Sequence, residues 1–239
     1  MKRALVTGGS GGIGGAICKR LARDGHYVYV HAHRSVETAA TLVREIVGAG
    51  GLAQAVSFDV TDADATRAAL EVVLHDGPIQ ILVNNAGVHD DAVFPGMSAE
   101  QWHRVINTSI SGFFHVTQPL MMQMIRTRWG RIVNTSSVTA LTGNRGQVNY
   151  AAAKGALNAA TKSLALEVAS RGVTVNAVAP GIIATPMSDK VFDDETIARL
   201  VPMKRAGLPA EVASLVAFLV SNEAAYVTAQ IISINGGMI

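Results

Sequence analysis

Directly behind the apolar triplet Ala4-Leu5-Val6, the chain reads Thr7-Gly8-Gly9-Ser10-Gly11-Gly12-Ile13-Gly14-Gly15. A backbone so poor in side chains has two uses. It can be a plain tight turn with small packing residues, or a surface that a ligand approaches closely. Glycine tolerates positive φ and lets backbone N–H groups come near an anion. Gly9, Gly11 and Gly14 fit G-x-G-x-x-G, and Gly8, Gly12 and Gly14 fit T-G-x-x-x-G-x-G. Either spacing would set a pyrophosphate on the N-terminus of a following helix, where unpaired donors and the dipole favour negative charge. A lone motif of this kind is weak, but its place between a strand and a helix favours the dinucleotide reading. On that reading Gly8, Ser10, Gly12, Ile13 and Gly14 face the cofactor.

The rest of the chain repeats this strand–turn–helix rhythm. Apolar runs at 4–6, 27–30, 53–58, 79–83, 131–135, 173–179 and 230–234 read as seven strands. Several are continuous Val, Ile and Leu rather than alternating, as expected when both sheet faces are covered. Helical stretches fall near 13–24, 36–48, 62–75, 99–125, 149–170 and 209–221. Strand–helix alternation implies right-handed crossovers and a parallel sheet. The expected fold is α/β, a Rossmann-type, doubly wound, seven-stranded parallel sheet in a single domain spanning 1–239. Ligands bind such sheets outside the carboxyl ends of the strands. Function is therefore expected in the segments that follow strands.

Composition removes several alternatives. Hydrophobic residues make up 49% and charged residues 16%, the reverse of a disordered composition. The single cysteine, Cys18, permits neither an internal disulfide nor a cysteine-based zinc cluster. A net charge of +2 and 5% aromatic content argue against a nucleic-acid partner. The apolar stretch after Met1-Lys2-Arg3 stops at Thr7, too short for a signal peptide. No run approaches the ~18–20 apolar residues of a membrane helix. A soluble, cytoplasmic protein without a membrane partner is expected.

The end of the second strand bears on which dinucleotide binds. An acidic residue ~20 residues past the glycines would hold the ribose 2′-hydroxyl of NAD. Here the chain reads His31-Ala32-His33-Arg34-Ser35, and the next carboxylate is Glu37. His33 and Arg34 suit a 2′-phosphate, with the guanidinium supplying a charged fork. The alternative is a solvated basic loop. His31 and His33 share a strand face, but no third ligand is near in sequence, so no metal site is expected.

The fifth strand runs into Ser136-Ser137, and a helix carries Tyr150-Ala151-Ala152-Ala153-Lys154. Tyr150 and Lys154 stand at i and i+4 on one helix face. A phenol near pKa ~10 is a poor acid–base at neutral pH, and a nearby ammonium would lower that pKa. Taken alone, Tyr-x-x-x-Lys is a common surface pair; beside a dinucleotide turn it gains a chemical use.

Together, Thr7-Gly8-x-x-x-Gly12-x-Gly14, Asn84-Asn85-Ala86-Gly87, Ser137, Tyr150-x-x-x-Lys154 and Pro180-Gly181 resemble the short-chain dehydrogenase/reductases. The stretch Gly146–Gly155 and the ending Asn235-Gly236-Gly237-Met238 are most similar to the 3-oxoacyl-acyl-carrier-protein reductases of fatty acid biosynthesis. The resemblance implies that Tyr150 protonates a carbonyl oxygen while Ser137 hydrogen-bonds it. It implies that Lys154 binds the nicotinamide ribose and lowers the tyrosine's pKa. Asp59 and Val60 would line the adenine. Asn85, Ala86 and Gly87 would follow the ribose and pyrophosphate. Ile183 and Thr185 would hold the carboxamide side, although Pro180-Gly181 could equally be only a turn. The family's catalytic asparagine is replaced by Ser109, and Asn107 would point about 200° away on a regular helix. Ser109 is expected to substitute by binding a water; the alternatives are slower catalysis or a rerouted proton relay.

The implied activity is NADPH-dependent reduction of a 3-oxoacyl thioester. The alternatives are a dehydrogenase of another small ketone or alcohol, and a cofactor sensor with weak turnover. An apolar lid around 185–205, carrying Met187, Val191, Phe192, Ile197, Leu200 and Met203, would cover the catalytic mouth. An acidic acyl carrier protein would dock on basic residues, with Arg126, Arg128 and Arg131 clustered before the fifth strand and Arg171 after the long helix. Arg128 and Arg171 match the family's docking points. A homotetramer is expected, with Ala151, Ala152, Ala156, Ala159 and Ala160 small enough for close helix approach.

Overall fold

The computed structural model describes residues 1–185 and 193–239. In chain order the elements are β1 (Arg3–Val6), α1 (Gly12–Arg23), β2 (Tyr27–Ala32), α2 (Val36–Gly48), β3 (Leu52–Ser57), α3 (Ala63–His75) and β4 (Ile81–Asn84). There follow α4 (Ala99–Ile106), α5 (Gly112–Thr127), β5 (Gly130–Thr135), α6 (Thr139–Thr142), α7 (Val148–Val168), β6 (Val173–Pro180), α8 (Asp194–Leu200), α9 (Pro209–Val220) and β7 (Ile231–Ile234). All seven expected strands form, shifted by at most two residues at their ends. The strand order is β3-β2-β1-β4-β5-β6-β7, with every pair parallel.

This order follows from burial. Residues of β4, β5 and β6 are buried throughout, so those strands need cover on both faces. Helices supply it. One apolar cluster joins β1 and β2 to α1, α2 and α9 through Ile17, Leu21, Leu42 and Val216. The other lies on the opposite face under α3, α5 and α7 and includes Leu70, Leu120 and Val168. The chain leaves β1 through β2 to the β3 edge, then returns to the other side of β1 with β4. That reversal opens a crevice at the carboxyl ends of β1 and β4, where Thr7-Gly8 and Asn85-Ala86 emerge.

Residues 99–125 do not form one regular helix. Between α4 and α5 the backbone widens to a π-turn over Asn107–Ser111, with the Gly112 N–H donating to the Asn107 carbonyl, five residues back. Gly112 then presses on Val60, where an added Cβ would lie 2.9 Å from Val60 Cγ2. Of the expected lid, residues 186–192, including Met187, Val191 and Phe192, lie outside the described residues. Its later part forms α8, with Asp193 capping the helix by accepting from the Thr196 amide. The chain then runs to Met203, whose amide donates to the Gly236 carbonyl. No helix among the described residues is long and apolar enough to cross a membrane.

Candidate active site

The glycine turn is held from three sides. Thr7 Oγ1 accepts hydrogen bonds from the Asn85 and Ala86 amides at 2.9 and 3.0 Å. Asn85 Nδ2 donates to the carbonyls of Thr7 and Gly8, both at 3.1 Å. Gly8 has φ +60°, a conformation that costs glycine little. Gly14 is required for a different reason: an added Cβ would overlap the Gly8 carbonyl and crowd Asn85 Nδ2. Gly14 thus packs on the turn itself. Gly15 has ordinary space around it.

The amides of this turn are not all free. The Gly8 N–H donates to His31 Nδ1 at 3.0 Å, and the Gly9 N–H to the His31 carbonyl at 2.8 Å. The first helical bond is Gly15 N–H to the Gly11 carbonyl. Gly12, Ile13 and Gly14 therefore open α1 with amides that have no intrahelical acceptor, and no side chain caps the helix. This is a cradle for an anion, and it fits the pyrophosphate of a dinucleotide. Thr185 reaches over it, since a Cβ on Gly12 would meet Thr185 Cγ2 at 3.0 Å. Ile183 is buried in the apolar core on the α1 and α9 side.

At the end of β2, His33 and Arg34 are exposed. His33 Nδ1 lies 3.6 Å from Asp59 Oδ2, so the end of β3 brings a carboxylate beside the basic pair that sequence distance concealed. The Asp59 pKa is lowered: burial acts to raise it, but hydrogen bonds from the Thr61 amide and hydroxyl and the charges of His33 and Arg34 outweigh that. Val60 is buried against Gly112, so its side chain belongs to the packing of α5. Asn85 spends its side-chain amide on the glycine turn. Asn84 is buried and spends its side-chain amide in the interior. Its Nδ2 donates to Thr117 Oγ1 and Asn134 Oδ1, and Asn134 in turn donates to Thr161 Oγ1. This buried polar chain ties β4, β5, α5 and α7 together, and the sequence offered no periodic signal for it.

Ser137, Tyr150 and Lys154 converge beyond β5. Ser137 Oγ accepts from the Thr139 amide at 3.2 Å and lies against the Tyr150 phenol. Asn149 fixes the start of α7: its Nδ2 donates to the Asp90 carbonyl, and its Oδ1 accepts from the Tyr150 amide. The phenol's pKa is raised by burial, with a smaller push from Asp91, while the Ser137 hydrogen bond pulls it down. The expected lowering by Lys154 is not found. The lysine is itself buried, its Nζ donates to the Thr135 carbonyl at 2.7 Å, and it sits 5.6 Å from the centre of the Tyr150 ring. Burial brings its own pKa down to about 8. Gly87 leaves room above it, because an added Cβ there would lie 3.3 Å from Nζ.

Ser109 stands in the π-turn, buried, and its hydroxyl has no hydrogen-bond partner. It lines a small void of about 10 Å³ with Thr7, Asn84, Ala86 and Leu157, room for about one water. Asn107 is exposed, facing away as expected.

The basic residues divide differently from their sequence order. Arg131 is buried, donating to the carbonyls of Gly130, Gly172 and Ser221 and stacking on Trp129, so it does not belong to a surface cluster. Arg128 and Arg171 are exposed neighbours, with Arg128 Nη2 donating to the Ser170 carbonyl. They precede β5 and β6, whereas Ser137 and Pro180-Gly181 end or follow those strands. The arginine pair thus lies at the opposite rim of the sheet from the tyrosine, roughly 20 Å along six strand residues.

Residues 2–196 match the family model of the short chain dehydrogenases. The chain is 44% identical over 240 residues to the 3-oxoacyl-acyl-carrier-protein reductase of Staphylococcus aureus, covering 99% of this chain and 98% of that one. It is 43% identical to the corresponding reductase of Thermotoga maritima, covering 100% and 98%. It is also 43% identical to nodulation protein G of Azospirillum brasilense, covering 99% and 98%. With its parallel sheet and glycine turn, the chain belongs to the short-chain dehydrogenases, a family of nicotinamide-dependent oxidoreductases.

Proposed function

We propose that the protein reduces a 3-oxoacyl thioester, carried on acyl carrier protein, to the 3-hydroxyacyl product with NADPH. The observation that carries the proposal is the convergence of Tyr150 and Ser137 on one phenol–hydroxyl pair at the same rim as the anion cradle. The names of the relatives point to the substrate class. Bound NADPH would supply the hydride to the carbonyl carbon. Tyr150 then gives its proton to the carbonyl oxygen, and the Ser137 hydroxyl orients that oxygen. Because burial raises the phenol's pKa, the acid stays protonated across neutral pH. Lys154, with its ammonium under Gly87, binds the ribose hydroxyls. Ser109 holds a water in the adjoining void and so serves where the family has asparagine. His33 and Arg34 receive the 2′-phosphate.

Of the expected lid, the described part from Asp193 through α8 to Met203 would cover the acyl chain. Copies of the chain pair through α5 and α7, whose outer faces carry exposed Phe114, Met122 and Leu166 beside the alanines of α7. Such exposed apolar groups mark association surfaces, and repeating the pairing through a second face gives the tetramer. A two-fold pairing that runs these helices antiparallel brings opposite rims of two copies together. An acidic carrier docked on Arg128 and Arg171 then serves the Tyr150 of a second copy. The setting for this chemistry is the cytoplasm.

The test is NADPH oxidation by the purified protein with acetoacetyl thioesters of acyl carrier protein and of coenzyme A, with NADH as control. NADPH-selective turnover and a 3-hydroxyacyl product are expected. Turnover with free ketones alone would make the protein a dehydrogenase of another substrate. Tight NADPH binding without oxidation would make it a sensor.

A further inference from the structure

His31 lies in the interior at the end of β2, where neither the glycine motif nor the catalytic set assigns it a task. Both of its ring nitrogens are engaged. Nδ1 faces the Gly8 amide at 3.0 Å, and Nε2 faces the Phe58 carbonyl at 2.9 Å. An amide can only donate and a carbonyl can only accept, so Nδ1 bears the lone pair and Nε2 the hydrogen. The ring also packs on the Phe58 ring, with centroids 4.1 Å apart. The same residue's carbonyl takes the Gly9 amide. One residue therefore occupies the first two amides of the glycine turn and grips the segment that leads into Asp59.

We propose that His31 is a positioning residue for the dinucleotide, holding the pyrophosphate turn and the adenine wall at a fixed separation through one neutral imidazole. By occupying the Gly8 and Gly9 amides it leaves the anion to the amides that open α1. Without an acceptor at Nδ1, the half-buried Gly8 N–H would lose its protein partner and the turn would shift to satisfy it. The effect falls on cofactor binding rather than on turnover, because His31 touches neither Tyr150 nor Lys154. The inference rests on the dinucleotide reading of this crevice.

Two substitutions separate the ring's two halves. In His31→Asn the amide oxygen can stand where Nδ1 stood and accept from Gly8. In His31→Gln the longer amide can reach the Phe58 carbonyl but presents nothing to Gly8. Dissociation constants for NADPH and NADH, measured by cofactor fluorescence, are expected within ~3-fold of wild type for H31N and weakened ~10-fold or more for H31Q. Turnover at saturating cofactor should be unchanged in both. Equal binding by the two variants, or a loss of turnover at saturation without a binding loss, would overturn the inference. Nitrogen-15 spectra of the wild-type imidazole give a reading that needs no variant, and a protonated Nδ1 at neutral pH would likewise overturn it. A wild-type chain that binds neither cofactor would fail the dinucleotide reading itself; wild-type binding with H31N and H31Q alike fails only the role of His31.

Discussion

The Lys154 ammonium donates a 2.7 Å hydrogen bond to the Thr135 carbonyl from inside the protein, and no carboxylate pairs with it among the described residues. Burial without a counter-charge favours the neutral amine and draws its pKa down to about 8. If the charged form is the working one, kcat/KM should fall as pH rises through about 8, since that ratio reports groups of the free enzyme. Lys154→Met should lower kcat/KM by ~10² and abolish the alkaline limb. A pH profile that stays flat well above this value would exclude the ammonium from the reaction.

Tyr150 is the proton donor of the proposed chemistry. Tyr150→Phe keeps the ring and its packing but removes the acid, so kcat should drop by ~10²–10⁴. NADPH affinity should change by less than ~3-fold, the hydroxyl being absent from the anion cradle. Near-normal NADPH consumption by this variant would remove Tyr150 from the mechanism.

Arg34 is the fixed positive charge at the end of β2, with His33 held beside Asp59. Loss of a charged hydrogen bond to a phosphate weakens binding by ~10–100-fold. Arg34→Ala should therefore raise KM for NADPH by that factor and leave KM for NADH nearly unchanged. Equal effects on the two cofactors would place the 2′-phosphate elsewhere.

Ser109 separates stability from activity. Its hydroxyl is buried without a protein partner, so Ser109→Ala should leave the melting temperature unchanged or raise it. The same variant should lose several-fold in kcat, because the void keeps its volume but loses the group that anchors a water. Ser109→Asn has too little room in a void of about 10 Å³ and should destabilise by about 1–3 kcal/mol. Unchanged turnover in both variants would show that the position takes no part in catalysis.

Gly14 and Gly15 are adjacent in sequence and opposite in tolerance. A Cβ at Gly14 overlaps the Gly8 carbonyl, so Gly14→Ala should abolish measurable cofactor binding. At Gly15 the nearest atoms stand at 3.6 Å, and alanine is the better helix former by about 1 kcal/mol. Gly15→Ala should therefore melt higher and bind cofactor as the wild type does. Thermal denaturation and cofactor titration on the two variants decide this.

Much of the architecture was legible in the chain itself. Short continuous Val/Ile/Leu runs alternating with helical stretches can satisfy their backbones and cover both strand faces in few ways, and a parallel doubly wound sheet is the simplest. The glycines between β1 and α1 marked the anion cradle, because their placement is local. The i, i+4 spacing of Tyr150 and Lys154 is likewise a property of one helix. The ordered motif set then pointed to the family.

Tertiary structure decided what depends on partners remote in sequence. Ser109 becomes a buried hydroxyl without a partner because the backbone widens into a π-turn, which side-chain periodicity does not reveal. The carboxylate beside His33 comes from Asp59, in the segment that follows the neighbouring strand. Arg131 looked like a surface cation until carbonyls of Gly172 and Ser221 and the ring of Trp129 enclosed it. Composition offered glycine amides as a uniform phosphate surface, yet His31 claims two of them, because β2 carries its imidazole under the turn. Local pattern along the chain set which segments meet at the sheet's rim. Only packing decided which of their donors remain free, since hydrogen-bond capacity is exhausted by whichever group folding brings nearest.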